Sequence, residues 1–93
     1  MKMSPIQDKI SVLLDKEEAL VLFEMLERLV EEREKELLPL LESSAEFAVL
    51  CRLASHLEQH LKEPLSDDYE TLLTKARALI IKQSGRYPGL EEK

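Results

Sequence analysis

Residues 15–30 read DKEEALVLFEMLERLV, and this stretch decides the fold class. Asp15 is placed to accept hydrogen bonds from the free backbone amides of a first helical turn, and Glu18, three residues on, to reach back to the Asp15 amide. The acids of this turn also favour the positive end of a helix dipole. Beyond it, Leu22, Phe23, Leu26, Leu29 and Val30 recur at spacings of three and four, so one face of a helix is apolar. The stripe is interrupted at Arg33-Glu34 and resumes at Leu37. Pro39 disfavours α geometry at the residue before it, so this helix is expected to span about 16–37.

The same grammar recurs twice. Ser43 with Glu46 forms a second capping box, followed by Phe47, Leu50, Cys51, Ala54, Leu57 and Leu61 on one face, with Pro64 beyond; a helix over 44–62 follows. Asp67 with Glu70 forms a third, leading into Tyr69, Leu72, Leu73, Ala76, Leu79 and Ile80, with Gly85 as left-handed terminator; this predicts a helix over 67–84. Composition agrees. The 93 residues hold only two glycines, against a usual share near 7%, too few for a fold rich in hairpin turns. The fold class read here is all-α: a three-helix bundle in a single domain over 1–93, with 1–9 and 87–93 as flexible ends. Ile10-Ser-Val-Leu-Leu14 is short and partly β-branched, with no partner strand in the chain. It is expected to be an extended N-terminal arm, packed on the helices or paired with its mate in a dimer.

Three blocks, DKEEALVLFEML at 15–26, EFAVLCRL at 46–53 and LKEPLSDDYETLL at 61–73, resemble a family of small, uncharacterised bacterial proteins. The resemblance covers most of residues 13–80. It implies an all-helical fold and a bacterial origin. The shared blocks are helix caps and apolar stripes, so it implies no activity and no functional residues.

Charge narrows the partners. The net charge is −6, which disfavours nucleic acid and anionic membrane surfaces and favours a basic protein partner. Five units of that excess lie in residues 15–36, with nine acids against four bases. The i,i+4 pairs Glu24–Arg28, Arg28–Glu32 and Glu31–Lys35 are expected to support the helix, and Glu31, Glu32 and Glu36 to form an acidic docking face. No unbroken apolar run exceeds five residues, as in Ala19–Phe23, and no signal peptide is apparent, so the expectation is a cytoplasmic protein with no membrane contact. A single cysteine, Cys51, requires no oxidising compartment and reads as a small hydrophobe on a core stripe.

Two histidines, His56 and His60, lie one turn apart and could offer a metal two nitrogens. The zinc-protease pattern needs Glu directly after the first His, where Leu57 stands, so that chemistry is absent. The expectation is no metal and no cofactor, with His56 and His60 the candidates if a metal is held. Phosphate loops and nucleophile elbows are also absent, and no enzymatic activity is expected.

Apolar surface remains. Ala19-Leu-Val-Leu-Phe23 covers every direction around a helix, which a peripheral helix could not bury. With Leu13, Leu20, Val21, Leu40, Leu41 and Ile81 unassigned to a three-helix core, a two-fold homodimer through Leu13, Leu20, Val21 and Ile81 is expected to complete the bundle. The functional expectation is a small bacterial protein-interaction or regulatory domain acting as a homodimer. The alternatives are a metal-binding helical protein and an antitoxin or immunity-type inhibitor of a basic toxin.

Overall fold

The structure is a computed structural model and describes residues 8–92. Four α-helical segments follow in order: α1 (Lys16–Glu27), α2 (Glu34–Leu37), α3 (Ser44–His60) and α4 (Tyr69–Ser84). A π-helical turn, Arg28–Glu32, continues α1, and short 3-10 turns at Leu38–Leu40 and Glu63–Leu65 end α2 and precede α4. There is no strand among the described residues.

The first expected helix is therefore divided. After Glu27 the chain takes one residue too many per turn, and the Arg33 amide donates to the Arg28 carbonyl oxygen, five residues back, at 2.8 Å. Arg33 itself leaves helical geometry at φ −117° and ψ 32°. The division costs two of the expected i,i+4 pairs. Glu24–Arg28 forms within the α-helical part, whereas Arg28–Glu32 and Glu31–Lys35 span the π turn and the break, where i and i+4 no longer align. Leu37 is the last α-helical residue, as the proline predicts. Leu38 still keeps right-handed helical angles, because Pro39 sits in the first turn of the 3-10 helix, where its missing amide is not needed.

Helix starts agree with the sequence in part. The Asp15 amide donates to the Glu18 carboxylate at 2.8 Å. At α3, Ser43 Oγ accepts from the Ala45 amide at 3.0 Å, but Glu46 reaches past Ser43 to the Glu42 amide at 2.7 Å. The expected Asp67–Glu70 box does not form. The Ser66 hydroxyl instead donates to the Asp68 carboxylate and accepts from the Asp68 amide, so residues 67–68 turn and α4 begins at Tyr69. The other boundary shift is at Leu61, which turns extended and is buried, ending α3 at His60.

α1 lies between α3 and α4 and packs against both. The buried side chains come from all four segments: Leu20, Phe23 and Leu26 from α1, Leu37 from α2, Ala54 from α3, Leu61 just after it, and Leu73 and Ala76 from α4. This centrality corrects the expected interface. A helix covered on two sides needs apolar groups on two sides, so Leu20 is only 4% exposed, and Ala19 and Val21 pack half-buried against the same cluster. Leu20 is core, not dimer surface. Ile81 is also half-buried, and only Leu13, at 96% exposure, projects freely.

One of the two expectations for the arm is corrected. Residues 10–14 have no regular structure and do not pack on the helices: Ile10, Val12 and Leu13 are all exposed. No helix among the described residues is long and apolar enough to cross a membrane.

Candidate interaction surfaces

His56 and His60 are both exposed on the last turns of α3. The His60 ring bonds back to its own helix, Nδ1 to the His56 carbonyl oxygen at 2.9 Å. A carbonyl oxygen only accepts, so Nδ1 is the donor in this contact. Among the described residues no third His, Cys, Asp or Glu joins them in a group able to hold a metal ion. Cys51 is half-buried on the inner side of the same helix.

Glu31, Glu32 and Glu36 are exposed, as the acidic-face reading requires. Arg33 stands among them and reaches Glu36 at 3.7 Å. Glu27, half-buried just before the π turn, holds its proton more tightly than an ordinary carboxyl. Burial is the main cause, and Glu31, Glu58 and Glu32 add to it.

Sequence reasoning missed the ion pairs between elements. Glu24 of α1 accepts from Arg28 and also from Arg77 Nη2 of α4, at 3.1 Å, so one carboxylate ties two helices together. Tyr69 lies close by with its hydroxyl buried and without a hydrogen-bond partner; burial, then the Glu24 charge, raises its pKa. At the other end of α1, Lys16 Nζ binds Glu63 at 2.8 Å. That bond raises the lysine pKa and lowers that of the carboxyl. No pattern within one helix could have announced these contacts, since their partners lie 47 and 53 residues apart.

Two surface features go beyond packing. The first is apolar. Leu41, Ala45, Val49 and Leu50 line a shallow groove of about 410 Å³ with Glu46. Val49 and Leu53, one turn apart on α3, are exposed, as are Leu38 and Leu40 in the 3-10 turn before it. This face lies about a third of a turn from the buried line through Ala54. The sequence signal for it was present: Val49 and Leu53 fall outside the assigned stripe of this helix. The second feature is a groove of about 640 Å³ between α1 and α4, to which Arg28, Arg33, Arg77 and Arg86 all contribute.

No family model, curated protein or solved structure matches the chain. The earlier resemblance likewise carries no activity, and function is argued from geometry.

Proposed function

We propose that this chain is a non-catalytic protein-interaction domain that acts as a homodimer, joined through the outer face of α3. The carrying observation is the exposed Val49 and Leu53 on α3, a helix packed chiefly against α1, together with exposed Leu38 and Leu40 and half-buried Leu41 just before it. Surplus apolar side chains motivate the dimer here as they did in the sequence; Leu40 and Leu41 belong to both sets, and Leu38, Val49 and Leu53 are new. Completing the burial of a half-exposed Leu or Val contributes about 1 kcal/mol. The exposed arm residues Ile10, Val12 and Leu13 are available to extend the same contact. A two-fold arrangement lets one patch serve both copies.

The dimer then presents Glu31, Glu32 and Glu36 twice, and a basic protein is the partner this flank suits. An inhibitor of a basic toxin is one special case. Solution mass tests the reading. Sedimentation equilibrium at tens of micromolar is expected to give twice the chain mass for the native protein. Val49→Glu with Leu53→Glu is expected to give a monomer with unchanged helical circular dichroism. A monomeric native protein at that concentration overturns the dimer.

A further inference from the structure

Four of the chain's five arginines line one groove, in a protein whose net charge is −6. The π turn explains half of this. In a regular α-helix, positions five apart diverge by roughly 140°, but here the Arg33 amide bonds to the Arg28 carbonyl oxygen, which brings the two side chains round to the same wall. Arg77 projects from α4 opposite, and Arg86 follows directly on Gly85. Val21 and Ile80 supply an apolar lining between them.

Each guanidinium is held by an acid yet keeps donors in hand. Arg28 and Arg77 share Glu24, Arg33 takes Glu36, and Arg86 takes Glu92. A guanidinium has five N–H donors, and these four side chains are 38–66% exposed.

The segment after α4 shows what fits. Tyr87-Pro88-Gly89-Leu90 is a tight turn: the Leu90 amide donates to the Tyr87 carbonyl oxygen at 3.1 Å, and Gly89 takes φ +88°. The turn sends Leu90, Glu91 and Glu92 back along the groove, where the two glutamates are its only acidic lining residues. They are loosely held. Leu90 is 61% exposed, and Glu92 reaches Arg86 at only 3.6 Å.

We propose that this groove binds a carboxylate-rich segment of a partner protein, one carrying an apolar side chain beside paired acids, and that Leu90–Glu92 is its built-in competitor. Arginine forks favour carboxylates through paired, charge-assisted hydrogen bonds, and Val21 and Ile80 receive the apolar anchor. The tethered tail competes at a high effective concentration, so it raises the affinity a partner must have. This site shares no lining residue with the α3 groove and does not depend on the dimer.

The test is fluorescence anisotropy with a labelled peptide of repeated Leu-Glu-Glu. Three full-length proteins are compared: native, Glu91→Gln with Glu92→Gln, and Arg33→Gln with Arg86→Gln. Arg28 and Arg77 are left alone because they hold Glu24. Removing the tail acids is expected to tighten binding about threefold or more, and removing the two arginines to weaken it at least tenfold, with unchanged circular dichroism melts. A matched Leu-Gln-Gln peptide is expected not to bind. The proposal is overturned if the tail variant shows no saturable binding, if the arginine variant binds as well as native, or if the Gln peptide binds equally. Tighter binding of a single-stranded oligonucleotide of equal length would overturn it too, by reassigning the groove to nucleic acid.

Discussion

Glu27 is the last α-helical residue before the π turn, and its surroundings oppose its charge. Burial raises its pKa first, and the carboxylates of Glu31, Glu58 and Glu32 raise it further. The folded chain therefore binds this proton more tightly than the unfolded chain does, so the ionised group works against folding at neutral pH. That penalty fades as pH falls through the raised folded value, lying above the ordinary 4.5. Glu63 has the opposite sign: its bond to Lys16 lowers its pKa, so its contribution is present at neutral pH and is lost on acidification. Glu27→Gln is expected to stabilise. Removing the charge relieves its burial first and the repulsion from Glu31, Glu58 and Glu32 second, together worth about 0.2–0.5 kcal/mol at this half-buried site. That corresponds to a Tm increase of roughly 1–4 °C at neutral pH. The gain over native should shrink as the melts are repeated down through the carboxylate range. An increment that stays constant with pH would locate the cause in packing instead.

Elements show which parts of the fold could be read from the sequence. Three capping signals and three apolar stripes place the long helical stretches within two residues at most ends, because both signals are local. The π turn was not legible. Leu29 and Val30 continue the 3.6-residue pattern through it, and only the Arg33–Glu34 interruption marks the place where the chain turns off. The arginine groove was hidden for the same reason, since its walls depend on that turn and on how α4 ends. Gly85, by contrast, was legible as the end of α4, although its positive φ comes with an extended ψ and not with the left-handed helical conformation expected there. It takes φ +85° and ψ 166°, a region nearly closed to other residues, and its amide donates to the Ile81 carbonyl oxygen at 2.6 Å. An added Cβ meets no atom there, so the cost of Gly85→Ala is backbone strain alone, about 1–2 kcal/mol. Thermal melts should show a drop of roughly 4–15 °C. Gly89→Ala, with a similar φ of +88°, lies in the exposed end segment, which can open without the helices, and should leave Tm nearly unchanged. Equal losses at both positions would mean that the end segment belongs to the cooperative unit.

At the scale of the whole molecule, centrality and shortage meet in α1. That helix spends apolar groups on two sides, which is why Leu20 disappeared from the expected interface, and among the described residues only eight apolar side chains are buried, two of them alanines. A core of that size gives a marginal fold. If the α3 face joins two copies, part of the stability resides in association, and Tm must then depend on protein concentration. Each tenfold increase in concentration adds about 1.4 kcal/mol per dimer, or half that per chain. For a chain of this length the expected rise is roughly 3–6 °C per decade. Melts of native protein from one to a hundred micromolar measure it directly. Val49→Glu with Leu53→Glu removes the association but leaves Leu20, Phe23, Leu26, Ala54 and Ala76 in place. Its Tm should lie below the native value and stay constant over the same range. Native melts that superimpose across the series would instead assign all of the stability to the eight buried residues of the single chain.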